Sequence, residues 1–230
     1  MRTLLALFCL TFLFACSNDD DVKETQKKYL TQMNFTNDGV TTTIHFEYDD
    51  SKNITAIKAG GDGDDDLYYT YNGTKLSTIR AGNETEPSMT FTYTADKLTG
   101  YTTNYDGDNP VSYNEQTKKY IFGDDDYKYE VSLKGRDVAT ISPIGGEANF
   151  YMNFEQNRKG PLYNVATDNV FLLNLFSTYS PLLFVNAPTD FLYSGVLFTC
   201  ENIYNNDNYL IKMMLTSNEN TAITIDYIYE

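Results

Sequence analysis

The chain has 230 residues, and its 32 acidic residues against 17 basic ones give a formal net charge of −15. That balance disfavours nucleic acid and anionic lipid head groups as partners, since both require a basic face, and leaves metal cations, cationic partners and neutral glycans open. Twenty Tyr, fourteen Phe and many Thr supply strand formers, while Asn and Gly supply turns, so the composition is that of an all-β chain.

The N-terminal stretch "MRTLLALFCLTFLFAC" places one Arg before an apolar run too short for a permanent membrane helix. It reads as a signal peptide over residues 1–15. The sequence Leu13-Phe14-Ala15-Cys16 resembles a bacterial lipobox, which implies cleavage before Cys16 and lipidation of its sulfur and new amine. Asp19, Asp20 and Asp21 follow at once and resemble the acidic export signal of Bacteroidetes-type lipoproteins, which implies the outer face of the outer membrane. Residues 16–27 then form a lipidated flexible tether and residues 28–230 a single β-repeat domain. With Cys9 removed and Cys16 acylated, only Cys200 remains, so no internal disulfide is expected and stability must come from burial.

Next in the chain come hairpin repeats. "HFEYDDSKNITAI", "YYTYNGTKLSTI" and "FTYTADKLTGY" each show an aromatic alternation ending in Tyr, a polar turn, an aliphatic residue and a second apolar residue three positions on. The alternation is the signal of a half-buried strand, and Asp38-Gly39 and Asn72-Gly73 are short hairpin turns. Weaker copies are centred on Tyr113 with Ile121, Leu133 with Val138 and Ile141, Phe154 with Leu162, and Tyr204 with Tyr209. The anchors Tyr48, Tyr71, Tyr93, Tyr113, Leu133 and Phe154 fall 20 to 23 residues apart. Apolar residues three apart, such as Leu76 and Ile79, lie on opposite faces of a regular strand. Either a bulge intervenes in each second strand or the first of the pair packs over the turn.

These units resemble the YD repeats of Rhs and teneurin shells. The whole chain resembles a family of Bacteroidetes outer-membrane lipoproteins with a porin-like β fold, through Leu13 to Cys16, the repeated Y-x(4)-L-T/S-x-I units, "NRKGPLYNV" and the closing "ITIDYIYE". It departs from the family's Asn-Pro-Phe turn at Gly160-Pro161-Leu162. The resemblance implies architecture and location, and carries no activity.

After the repeats, "DNVFLLNLFSTYSPLLFVNAP" breaks the β rhythm. It reads as a short helical apolar insertion over about residues 168–186, N-capped by Asp168 and interrupted by Pro181. The alternative is a hydrophobic loop for partner binding. The expected fold is therefore all-β: a large curled or barrel-like antiparallel meander of about fifteen strands, with the insertion packed inside. The strands' non-aromatic face carries Thr, Glu, Lys and Arg, which argues against a barrel embedded in lipid.

In a meander, successive turns alternate between two rims. Turns within units carry Lys52, Lys75, Lys97, Lys118, Lys134, Arg136, Arg158 and Lys159. Turns between units carry Asp62, Asp64 to Asp66, Glu84, Glu86, Asp106, Asp108, Asp124 to Asp126 and Glu147. One of the acidic turns, "GGDGDDDLY", matches the calcium-binding nonapeptide of β-helices once; that motif works in tandem, so turn chemistry is the better account. Asp62, Asp64 and Asp66 are retained as a weak calcium candidate, with no other cofactor expected.

The one His, His45, reads as a solvent-facing strand residue, so neither a His-rich metal cluster nor a Ser-His triad is expected. The function expected is that of a surface-exposed outer-membrane lipoprotein, held to the membrane by its lipid alone. It would be a non-catalytic binding or structural module for a glycan or surface protein. The alternative is a carbohydrate-active hydrolase, which requires two carboxylates roughly 5–10 Å apart in a concave cleft.

Overall fold

The computed structural model describes residues 26–61, 63–123, 128–179, 181–219 and 222–230. The signal peptide, Cys16, most of the tether, Asp62 and Asp124 to Asp126 lie outside the described residues.

Sixteen antiparallel strands close into one barrel. In chain order they are β1 (Leu30–Asn37), β2 (Val40–Tyr48), β3 (Ile54–Lys58), β4 (Leu67–Asn72), β5 (Lys75–Ala81), β6 (Met89–Thr94), β7 (Lys97–Thr103) and β8 (Gly107–Asn114). The remainder are β9 (Lys119–Gly123), β10 (Lys128–Lys134), β11 (Asp137–Pro143), β12 (Phe150–Lys159), β13 (Asn186–Tyr193), β14 (Val196–Tyr204), β15 (Leu210–Ser217) and β16 (Ala222–Tyr229). Each strand pairs with its neighbours in sequence, and β16 pairs with β1, running from Leu30 opposite Tyr229 to Asn37 opposite Ile223. Tyr29 and Glu230 exchange both backbone hydrogen bonds beyond the last pair. Closure removes the sheet edges.

A bulge resolves the three-residue spacing. In β4–β5, Thr70 faces Thr78 but Tyr71 faces Leu76, so Ser77 is the extra residue and both Leu76 and Ile79 point inward. The same slip occurs at Tyr48 with Ile54, Tyr93 with Leu98, Leu133 with Val138 and Tyr204 with Leu210. Three weaker copies are corrected. Tyr204 faces Leu210 rather than the expected Tyr209, which lies before the strand begins. Tyr113 faces Tyr120 without a slip, so Tyr120 and Phe122 turn inward while Ile121, between them, takes the outer face. Phe154 faces Pro188, because the chain leaves the wall after Lys159 and returns at Asn186; Leu162 belongs to the interior segment, not to a second strand.

The anchor tyrosines have a second task. Backbone pairing between β3 and β4 ends at Ala56 opposite Tyr68, and between β5 and β6 at Thr78 opposite Thr90. Beyond those points the Tyr71 hydroxyl donates to the Ile54 carbonyl (2.8 Å) and the Tyr93 hydroxyl to the Leu76 carbonyl (2.7 Å). Tyr48 does the same to Leu30 (2.8 Å) and Tyr229 to Leu210 (2.7 Å). Each acceptor is the residue that begins a bulge, where ladder bonding is disrupted and a carbonyl needs another donor. The ladder thus has a rung on each side of the seam where the barrel closes.

Inside lies the apolar insertion. Helix α1 (Val170–Leu175) is six residues long, shorter than the expected span, and is followed by turns. Its N-cap is Asn169, without a side-chain cap bond, rather than Asp168. Asp168 instead bridges to the wall: its backbone N–H donates to the Thr74 carbonyl and its carboxylate accepts from the Thr74 hydroxyl. Phe171 stacks on Tyr120 (5.0 Å between centroids), and Phe176 packs against Phe91 and Tyr101.

The entry and exit of the segment run side by side, with Gly160 N–H donating to the Val185 carbonyl (2.7 Å) and Leu162 N–H to that of Phe184 (3.0 Å). A Cβ on Gly160 would stand 2.6 Å from the Phe184 ring and 2.7 Å from its carbonyl oxygen. Gly160→Ala is therefore expected to cost about 1–3 kcal/mol by overpacking. The check is a lowered denaturant midpoint at unchanged m-value.

The outer wall is polar. It carries the pairs Lys58–Glu47, Lys119–Glu130 and Lys212–Asp226, and facing hydroxyls such as Thr70–Thr78. His45 is exposed there, as expected. A lipid-embedded barrel needs an apolar outer band about 25 Å tall; among the described residues the apolar face points inward instead.

Candidate functional site

The two rims have different fates. Turns carrying the basic residues hold the interior segment at their end of the barrel. Arg136 donates to the carbonyls of Tyr163 and Val165 (both 2.7 Å) and more weakly to that of Thr167 (3.3 Å). Its neighbour Asp137, only 3% exposed, accepts hydrogen bonds from the backbone N–H groups of Val185 and Asn186 and from the Asn186 side chain. The backbone N–H of Ala166 donates to the Lys52 carbonyl. Acidic turns surround the opposite mouth.

At that mouth a cavity of about 600 Å³ opens between the wall and the turn that follows α1. Its floor and sides are inward-facing apolar side chains: Phe35, Ile44, Phe191, Phe198, Leu215 and Ile223. Phe191 and Phe198 stack at 4.9 Å across β13–β14. Tyr179, Pro181 and Leu182 of the interior segment form the facing side, and Thr42, Gly60 and Asp65 stand at the lip. The volume lies within the range of small-molecule sites, and barrel mouths are a recurrent place for them. Burial, reinforced by the carboxylates of Asp65 and Asp66, pushes the Tyr179 hydroxyl up to about 12, so it stays a neutral donor and acceptor beside the lip. A second depression, of about 720 Å³, lies beyond Tyr193 and is lined by Glu147, Asn149, Ser177 and Ser194 among others.

Each of these hollows has one carboxylate among its described lining residues, Asp65 in the first and Glu147 in the second. Among the described residues, the two-carboxylate pair demanded by the hydrolase alternative does not assemble in either.

The residues of the calcium candidate act as turn fasteners where they are described. The carboxylate of Asp66 accepts from the backbone N–H of Ala59 (3.1 Å) and from the Tyr68 hydroxyl (3.2 Å), while its carbonyl accepts from Gly82 N–H (2.7 Å). Asp64 accepts from the Asn83 side chain (3.2 Å). Gly61 adopts φ +117°, which only glycine takes readily. The turn thus locks β3–β4 to β5–β6 at the mouth. No group of three His, Cys, Asp or Glu among the described residues is placed to hold a metal.

Cys200 faces inward on β14 and has no disulfide partner among the described residues. Burial, with help from Asp190, pushes its thiol up to about 12, which suppresses the reactive thiolate.

Sequence reasoning found the rims but not the cavity, whose walls come from both ends of the chain and from the insertion. No family model matches the chain, and no curated protein matches it either. Among solved structures it is similar to a porin-like protein from Bacteroides vulgatus, with 15% identity, 89% of this chain and 99% of that chain covered, and a TM-score of 0.50. A second porin-like protein, from Bacteroides uniformis, is similar at 11% identity, 87% and 96% coverage, and a TM-score of 0.35. At such identity the first likeness is one of fold: the chain is an all-β antiparallel barrel of the porin-like kind.

Proposed function

We propose that the protein is a lipid-anchored module of the outer bacterial surface that binds a ligand at the acidic mouth of its barrel without catalysing a reaction. The observation that carries the reading is the apolar cavity at the acidic mouth of the barrel, between the wall and the interior segment. Among the described lining residues Asp65 is the one carboxylate, which favours binding over two-acid hydrolysis. Leu13 to Cys16 support the anchor and Asp19 to Asp21 the outward address, and the polar outer wall suits a barrel held beside the bilayer rather than within it.

Two measurements test the parts separately. A labelled fatty acid is expected on the wild-type chain and not on Cys16→Ser, and protease added to intact cells is expected to digest the wild type. An uncharged naphthylamine fluorophore is expected to brighten with the mature chain and to lose most of that signal in Thr42→Trp. Thr42 points into the mouth yet is exposed, so the indole fills the entrance without entering the core. An unchanged signal in Thr42→Trp, or no signal in the wild type, would remove the cavity as the binding site.

A further inference from the structure

The character of the cavity narrows the class of ligand. Its interior is apolar and aromatic, and among its described lining residues Asp65 is the only charged side chain. Asp65 is exposed and stands at the lip, so its charge is reachable by a bound molecule without being buried. The field around it has the same sign. Asp64 and Asp66 adjoin it in the same turn, and the chain as a whole carries −15. Nearby Arg80 keeps its positive charge but stands on the outer face of the wall, paired across from Tyr68, where its guanidinium donates to the carbonyls of Gly82 (2.9 Å) and Glu84 (2.7 Å), so it offsets the field outside rather than at the cavity. The mixed-to-basic rim is at the far end, where Arg136 is bonded to the interior segment and Lys75, Lys97, Lys118 and Arg158 pair with acids of the same rim.

Resting on the binding reading above, we propose that the mouth cavity takes a small apolar molecule bearing one cationic group, with the apolar body between Phe35, Phe191, Phe198 and Ile223 and the cation at Asp65. Burying an apolar body supplies most of the affinity, and the lip carboxylate supplies the selection. An anion of the same shape would meet Asp65 and its neighbours with like charge, which is a device for rejecting it. A neutral analogue would keep the burial and lose only the selection.

The test uses the full mature chain exported behind a non-lipoprotein signal with Cys16→Ser, so that no detergent competes. Decylamine, decanol and decanoate are titrated below their aggregation limits by calorimetry, at low and high salt. The amine is expected to bind about three- to fivefold tighter than the alcohol at low salt, as one partly exposed ion pair allows, and decanoate weakest. High salt should narrow the difference. Asp65→Asn should bring the amine down to the alcohol while leaving the alcohol unchanged, and Asp65→Lys should turn the preference toward decanoate.

Equal binding of amine and alcohol in the wild type, with both lost in Thr42→Trp, would overturn the cationic assignment and leave the binding reading standing. Binding of all three that survives Thr42→Trp, or of none, would overturn both.

Discussion

Replacing Asp137 with alanine is expected to detach the interior segment from the wall and to cost about 2–5 kcal/mol, since two backbone N–H groups and an amide lose their acceptor in a buried place. The position is 3% exposed, and its carboxylate holds Val185 and Asn186 at the point where the segment rejoins the sheet as β13. Burial raises the carboxyl's pKa, and this outweighs the opposing pull of the Val185 and Asn186 donors and of Arg136. The sign follows. A carboxyl whose folded value is raised contributes stability that is complete below its unfolded value, about 4, and that declines as pH rises through the folded value. Asp137→Asn, which keeps one acceptor and has no charge to bury, should therefore lose less than alanine and should lack that acid-range decline. Thermal unfolding across pH, with amide exchange at Gly160 and Leu162, checks both. Exchange at those amides that stays as slow in Asp137→Ala as in the wild type would show that the segment is held by other contacts.

Much of this architecture can be read before any coordinates. The Tyr–aliphatic spacing announces the hairpins, and the pair Leu76 and Ile79 narrows each second strand to a bulge or a residue packed over the turn, since a regular strand puts the two on opposite faces; the register shows the bulge. Turn charge sorts the rims because a meander must alternate its ends. Errors arose where a local pattern had two solutions. Tyr113-x(7)-Ile121 fits a bulged hairpin as well as a regular one, and the regular register won because it buries the larger Tyr120 and Phe122. Asp168 is a good cap by type, yet its tie to Thr74, 94 positions away in sequence, is invisible locally. The cavity is harder still. Phe35, Phe198 and Leu182 meet only because β16 returns to β1 and the insertion folds inward, so no window of sequence contains the site.

The tyrosine ladder gives the second large effect, and it appears at high pH. Burial, followed by interaction with neighbouring phenols, holds the hydroxyls of Tyr48, Tyr71 and Tyr229 well above the ordinary tyrosine value, and burial does the same for Tyr93. In the unfolded chain the same groups ionise near 10. Raised folded values mean that the ladder's contribution is complete below about pH 10 and is lost as pH rises beyond it, by about 1.4 kcal/mol per pH unit for each tyrosine ionised only on unfolding. The barrel is thus expected to unfold cooperatively in base, with tyrosinate absorbance from the ladder appearing together with the loss of β-sheet circular dichroism. Tyr71→Phe separates the hydrogen bond from the ring. At neutral pH it should lose about 1–3 kcal/mol, because the Ile54 carbonyl is left without its donor where the backbone ladder has already ended. Above pH 10 its stability should fall less steeply than that of the wild type, by one proton's worth of slope, since phenylalanine has nothing to ionise. The combination with Tyr93→Phe is expected to depart from additivity, because Leu76 pairs with Tyr71 and accepts from Tyr93, so each substitution disturbs the other's support. Ladder tyrosines that ionised in the ordinary range while the barrel stayed folded would show that their hydroxyls are not committed to the carbonyls and that the bulges are held by packing alone.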